Sequence, residues 1–313
     1  MKNLTLKQLR YFEALARHKR FRLAAEACAI SQPALSMQIK ELEQEVGHDL
    51  FERGAKEVKL TAFGETFALR VREILRDVNE LGELARASKN SFLSRLRIGV
   101  IPTIAPYLLP TIINDLNRTF DGIEIQIRET QTAKLLEELK QGDLDLAIVA
   151  LPISEPSLIE SKLFDEEFVL VRRHQDGGKP VPERTALPKM RLLLLEEGHC
   201  FRDQALSFCN VGSSQPREVM EGSSLSTLVQ MVSAGIGVTL IPEMAVPMET
   251  RSAHVSVSHF DAPAPVRTIG MIWRSSTPIG KQLLQISEVI RTSTTNMRET
   301  NNARKPLIEA TSH

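Results

Sequence analysis

The chain has 313 residues, room for about two domains with a core each. Its 39 basic and 39 acidic side chains cancel, and 42% hydrophobic with 25% charged residues excludes a disordered chain. No apolar run approaches the roughly 18 residues needed to cross a bilayer, so no membrane partner is expected.

The neutrality hides an asymmetry. Residues 1 to 40 carry eight basic side chains against two acidic ones, a local charge of +6, which suggests that one end of the molecule meets a polyanion. The opening segment MKNLTLKQLRYFEALARHKRF has charges throughout and no apolar h-region, so a cytoplasmic protein is expected. Three cysteines are too few for a disulfide framework there, and any pairing would be redox-active rather than structural.

Leu6, Leu9, Phe12, Leu15 and Ala16 recur at helical spacing and predict a first helix to about His18. Phe21, Ala24, Ala25 and Cys28 predict a short second one. Ser31-Gln32-Pro33 is an N-cap with a Pro in the first turn, and Leu35, Ile39, Leu42 and Val46 carry a third helix to Gly47. With a tight connection at 29–31 this is a helix-turn-helix, and residues 51–60 alternate enough for a small wing. From Phe63 to about Ala87, Phe67, Val71, Ile74, Val78, Leu81 and Ala85 step by 4, 3, 4, 3, 4, a heptad seam whose expected partner is a second copy of itself.

After a polar stretch the pattern alternates strand and helix. Strands are expected at 96–101, 123–128, 144–149, 168–171, 192–195 and 237–241, with helices at 106–116, 134–140 and 225–234. This predicts mainly parallel sheets covered by helices, in two α/β lobes. Residues past about 293 are polar and read as a tail.

On a recognition helix whose apolar seam is 35, 39, 42 and 46, Gln32, Pro33, Ser36 and Lys40 fall off the core face, where base edges are met. Gln can address adenine, Ser is permissive and Pro can touch a thymine methyl, while Arg22 and Arg53 suit phosphates. The competing reading is a three-helix interaction domain with a solvated basic face. Among the cysteines, Cys28 lies on an apolar face and reads as packing. Cys209 follows Leu206 and Phe208 and by itself reads as buried. Cys200 stands after Gly198 and His199 and before Arg202, where a helix can begin, so the chemistry leaves it open between a reactive thiolate and an inert thiol. The remaining histidines do not cluster as metal ligands, and there is no P-loop, GxGxxG or GxSxG, so neither metal nor cofactor is expected.

The stretch from Leu6 to Arg53, with FRLAAEACAISQPALSMQIKELEQEVGHDLFER, closely resembles the N-terminal domain of LysR-type transcriptional regulators. The segments IGVIPTIAPYLLP (98–110), LEEGHCFRDQALSFC (195–209) and GIGVTLIP (235–242) resemble the hydrogen-peroxide-sensing branch of that family. The resemblance implies a winged helix-turn-helix at 1–62, a dimerising linker helix at 63–90 and a two-lobed, periplasmic-binding-protein-like α/β regulatory domain at 91–293. Its first lobe would span about 91–164 and 268–293, its second about 165–267, with a polar tail at 294–313. It implies Ser31, Gln32, Pro33, Ser36, Gln38, Lys40, Arg22 and Arg53 at the DNA, Cys200 and Cys209 as a reversible disulfide switch, and Thr103, Thr132, His199, Arg202, Asp203 and Arg267 around the peroxide. Read without the resemblance, Thr103 is equally a helix cap, Thr132 an N-cap and Arg267 an interlobe salt bridge.

The implied function is control of oxidative-stress genes on a double-stranded DNA operator, by a homotetramer built as a dimer of dimers. RNA polymerase and a thiol reductant such as glutaredoxin or thioredoxin come with it as partners. Two other readings stand beside it: a LysR-type regulator of a small organic effector bound between the lobes, and a thiol peroxidase, which the basic helix-turn-helix and the heptad helix disfavour.

Overall fold

The computed structural model describes residues 4–52, 58–87, 93, 95–183, 186–187, 190–198, 200–208 and 220–303. The chain divides into two compact units, 1–89 and 90–313.

In the first unit, Thr5 opens helix α1 (Leu6–His18) with a capping box, its hydroxyl accepting from the Gln8 amide while the Gln8 side chain accepts from the Thr5 amide. Helix α2 (Phe21–Ala27) ends in a turn where Ala29 takes φ 52° and Ser31 then caps α3 (Gln32–Val46), accepting from Ala34 N at 3.4 Å. Phe12 sits at the centre of the core, with the Phe51 and Phe67 rings at 5.4 and 5.2 Å. The base of the wing is present as a bridge between Phe51 and Leu60 and a bond from Glu52 N to Lys59 O.

Helix α4 (Ala62–Ala87) is 26 residues and about 39 Å long. Its heptad seam does not serve one partner along its whole length. Phe67, Ala68, Val71 and Leu75 pack into the head's own core, and Gly64 lies so close to the Leu50 carbonyl that a Cβ there would be 2.1 Å from its oxygen. Ile74 and Leu81 remain exposed, Leu81 at 65%.

In the second unit, β1 (Arg95–Val100), α5 (Ala105–Thr119), β2 (Glu124–Glu129), α6 (Thr132–Gln141) and β3 (Leu146–Leu151) form a right-reading β-α run with parallel pairing. Strand β4 (Leu158–Arg173) follows, then β5 (Leu192–Leu195), α7 (Cys200–Phe208), β6 (Met220–Gly222), α8 (Leu225–Ser233), β7 (Val238–Pro242), α9 (Val246–Glu249), β8 (Val255–Ser258), β9 (Val266–Arg274) and α10 (Gly280–Ala303). The strands make one sheet in the order β2-β1-β3-β9-β4-β7-β5-β6, with β8 on β4.

The expectation of mainly parallel sheets is corrected. β9 runs antiparallel to β3 and β4, and β4 antiparallel to β7 and β8, because these long strands cross from one lobe to the other. Two cores result, one around Ile98, Leu108, Ile148, Trp273 and Ile286, the other around Phe168, Leu170, Leu193, Leu228 and Ile241. The polar tail expected from 294 is helix as far as Ala303, with Thr294 fully buried. Its hydroxyl donates to the Arg291 carbonyl and that of Ser293 to the Val289 carbonyl, so the helix satisfies its own buried polar groups. Residues 304–313 lie outside the described residues.

Candidate functional site

Two clusters carry chemistry. On α3 the buried row is Leu35, Ile39 and Leu42, which leaves Ser31, Gln32, Pro33, Ser36, Met37 and Lys40 exposed on one face. The Ser31 hydroxyl is committed to the helix cap. Gln38 is half-buried and donates to Glu41 at 2.6 Å, so it stands apart from that face. Arg22 is exposed and pairs with Glu26 at 3.0 Å one turn along α2. Arg53 lies outside the described residues. Burial, with the Glu13 carboxylate adding, pushes the half-buried Cys28 thiol up from its ordinary value, which suppresses the nucleophilic thiolate.

The second cluster surrounds Cys200, the first residue of α7. Its neighbours come from the other lobe. Ile101, Pro102 and Thr103 follow β1, and Gln131 and Thr132 open α6; with Gly198, Cys200 and Phe201 they line a narrow crevice, partly open to solvent and too tight as it stands to admit a water molecule.

Thr103 does not cap α5, whose N-cap is Ile104; it is buried, and its hydroxyl and carbonyl accept from Arg267 at 2.9 and 3.1 Å. Thr132 is not an N-cap either. Gln131 occupies that position, and the Thr132 hydroxyl is buried with no hydrogen-bond partner among the described residues. A hydroxyl can donate and accept at once, so this is a vacant polar handle beside a thiol.

Arg267 is fully buried and stands behind Thr103 and Phe201, two of the residues that line the space. Its guanidinium pairs with Glu166 at 2.7 Å and lies 5.5 Å from the Phe201 ring centre. Glu166 also accepts from the Met244 amide at 3.0 Å. The salt bridge expected of Arg267 is made with Glu166, its direct cross-strand neighbour on β4, so both partners fall within the second lobe as bounded from sequence and the bridge is not interlobe; what crosses to the first lobe is the pair of bonds from Arg267 to Thr103. The Arg202 side chain turns away to the Leu195 carbonyl and Glu221, at 2.9 and 2.6 Å, and does not line the space. Asp203 is exposed on the first turn of α7. His199 and Cys209 lie outside the described residues.

Sequence reasoning missed Glu166 and Gln131. Glu166 was legible in period two, since it shares a strand face with Phe164 and Phe168. Nothing local marks Gln131. Its side chain, free of capping, donates from Nε2 to the Glu197 carbonyl at 3.4 Å, 66 residues away.

Next to the small space a larger cleft of about 450 Å³ shares Pro102, Thr103 and Gln131 with it. There Glu249 accepts from the Tyr107 and Ser226 hydroxyls, and burial together with the Glu249 bond pushes the Tyr107 phenol up.

Residues 6–65 match the bacterial regulatory helix-turn-helix protein family, lysR family, and residues 89–294 match the LysR substrate binding domain. A Streptomyces viridosporus protein described as a probable hydrogen peroxide-inducible genes activator is 43% identical over 291 residues, 92% of this chain and 93% of its own. The DNA-binding transcriptional dual regulator OxyR of Escherichia coli K12 is 40% identical over 92% of this chain and 95% of its own. Among solved structures, a full-length OxyR cysteine variant from Pseudomonas aeruginosa has TM-score 0.75 at 37% identity, covering 93% of this chain and 96% of that one. A cysteine mutant of Corynebacterium glutamicum OxyR with H2O2 bound has TM-score 0.64 at 34% identity, covering 94% of each. With a helix-turn-helix head, a two-lobed regulatory unit and matches across nearly its whole length, this chain belongs to the LysR family of transcriptional regulators.

Proposed function

We propose that this protein is a cytoplasmic, sequence-specific DNA-binding regulator that senses hydrogen peroxide through Cys200 and controls oxidative-stress genes. The carrying observation is a thiol at a helix N-terminus facing two threonines, one of them, Thr132, with an unengaged buried hydroxyl. The names of the relatives and the bound H2O2 of one structural neighbour support the reading.

The Cys200 thiolate attacks one peroxide oxygen, the O–O bond breaks, and the other oxygen leaves as hydroxide and takes a proton to become water. Sulfur loses two electrons and becomes a sulfenic acid. Thr103 and Thr132, with His199, orient the peroxide, and Arg267 holds Thr103 in place. Arg202 and Asp203, mapped to the same task by resemblance, act instead on the first turn of α7. The Cys209 thiol then attacks the sulfenyl sulfur, forming a disulfide and releasing water. Two electrons from glutaredoxin or thioredoxin restore the thiols.

The disulfide is a structural switch because α7 opposes it. Eight helical steps from Cys200 to Phe208 span about 12 Å, and one further Cα–Cα step of about 3.8 Å cannot bring the cysteines within the roughly 7 Å that a disulfide allows. Bonding them requires α7 to unwind. No cofactor or metal enters this scheme, and peroxide acts as a signal whose output is a changed protein at the DNA rather than as a substrate to be cleared. Fluorescence anisotropy on operator DNA during stoichiometric peroxide addition tests this. A change in affinity complete at about one peroxide per chain supports the sensor, whereas continuous consumption with reductant and no change at the DNA supports the thiol peroxidase.

The head is read as 1–62, the linker helix as 63–90 and the regulatory lobes as 91–293, with RNA polymerase as the partner at promoters. Gln32 and Ser36 face base edges while Arg22 and Arg53 hold phosphates. Gln32→Ala is expected to lose about 1–3 kcal/mol at specific sites and nothing on random DNA. Arg22→Ala should weaken all sequences and lower the salt slope by about one unit. Equal effects of both on both DNAs would refute that division.

The exposed half of the α4 seam, Ile74 to Leu81, pairs with a second chain, and two such dimers make the tetramer. Ile74→Asp with Val78→Asp should shift the protein to monomer in sedimentation; an unchanged oligomer would refute the pairing. A second reading, an organic effector between the lobes, is favoured by the cleft of about 450 Å³ with its Glu249, Tyr107 and Ser226 cluster.

A further inference from the structure

We propose that the Gln131 side chain is a gate between the larger cleft and the Cys200 space, and that it sets the size of hydroperoxide that reaches the thiol. The proposal rests on the reading of Cys200 as the peroxide-reactive group and names the residue that makes it selective.

Four observations converge on Gln131. First, it lines both spaces, so its side chain stands at their junction. Second, the crevice at Cys200 is partly open but too tight as it stands for a water molecule, and hydrogen peroxide is larger than water, so a wall has to shift for peroxide to seat in it. Third, the neighbouring walls are poor candidates for that movement. Thr103 is clamped by two bonds from the buried Arg267, Phe201 is packed against Phe168 at 4.9 Å between ring centres, and Pro102 has a fixed ring. Gln131 is half-buried, has three rotatable side-chain bonds, and among the described residues is tied across by one long bond of 3.4 Å to the Glu197 carbonyl.

The fourth observation is Gly198. It takes φ +91°, and a Cβ on it would fall 2.6 Å from Gln131 Oε1 and 3.0 Å from its Cδ. The glycine is what lets the amide lie down over the approach to Cys200. The closed gate is thus built from both lobes: an arm from the start of α6 and a seat just before α7.

The chemistry explains why such an arm selects by size. The Cys200 sulfur attacks the terminal oxygen of a hydroperoxide, the O–O bond breaks, S–OH forms, and the other oxygen leaves as water or, with an organic substituent, as an alcohol after taking a proton. Attack is in line with the O–O bond, so the substituent must point away from sulfur. Among the described residues, with Thr103, Phe201 and Pro102 fixed, the way out runs past Gln131. A hydrogen substituent passes with a small swing of the amide. A tert-butyl group requires the arm to leave its seat altogether.

The test compares Cys200 oxidation in the reduced full-length wild type, Gln131→Ala and Gln131→Asn, by quenched alkylation and mass, with hydrogen peroxide and tert-butyl hydroperoxide. Both variants are expected to react about tenfold or more faster with tert-butyl hydroperoxide, and less than about twofold differently with hydrogen peroxide. Gln131→Asn keeps the amide and shortens the arm, so it carries the test should the alanine variant misfold. A merely structural role for Gln131 moves both rates by the same factor, and that result, or unchanged rates with both oxidants, overturns the gate. A wild-type Cys200 that hydrogen peroxide leaves reduced would instead overturn the sensor reading.

Discussion

Cys200→Ser is expected to abolish every effect of peroxide on DNA binding while leaving the reduced protein's affinity for its operator unchanged. The replaced sulfur is the only described thiol that combines a helix N-terminus with a cleft lined by hydroxyls. Cys28, whose thiol is pushed up by burial and Glu13, cannot substitute for it, so Cys28→Ser should change stability modestly and sensing not at all. Cys209→Ser should react once, stop at the sulfenic acid and over-oxidise. Anisotropy with and without peroxide, beside intact mass, reads all three. A Cys200→Ser protein that still changes its DNA affinity with peroxide would remove the thiol from the mechanism.

The second large effect is on stability. Glu166→Ala leaves the fully buried Arg267 without its carboxylate, and stranding a buried charge costs about 3–5 kcal/mol. For a domain of this size that is a Tm lower by roughly 6–20 °C in a thermal melt. Removing both charges together, Glu166→Leu with Arg267→Met, should be far less damaging than the two single changes added, because no charge is then left unpaired. A Glu166→Ala melt within about 2 °C of the parent would mean that solvent reaches the pair. The same pair bears on the site, since Arg267 holds both the hydroxyl and the carbonyl of Thr103.

The head was legible in the sequence because its three helices each carry an apolar row at helical spacing, and Ser31, Pro33 and Gly47 mark the ends of α3. The crossing strands were not. β4 reads LIESKLFDEEFVLVRR because it passes through two environments, half-exposed where it meets β9 and buried where it meets β7, and no single period describes it. In β9 the interior Gly270 broke the strand signal, although it is the lack of a side chain there that makes room for Leu151. The end of α10 looked like a tail because its serines and threonines bond to carbonyls within their own helix, a use of polar residues that composition cannot reveal.

At the site, resemblance supplied Thr103, Thr132 and Cys200, and the structure brings these three to one space. It also supplied Arg202, which instead turns to Glu221, a residue outside every local motif. Glu166 and Gln131 act through partners about a hundred and 66 residues away respectively, and such pairings are set by topology alone.

In the proposed switch, peroxide writes a bond between Cys200 and Cys209 at the expense of α7. Peptide mapping of the protein after one equivalent of hydrogen peroxide, with hydrogen exchange measured across residues 198–210 in both states, checks this. A Cys200–Cys209 linked peptide and faster exchange through α7 in the oxidised protein are expected. Both thiols still reduced, or the same exchange in the two states, would contradict it.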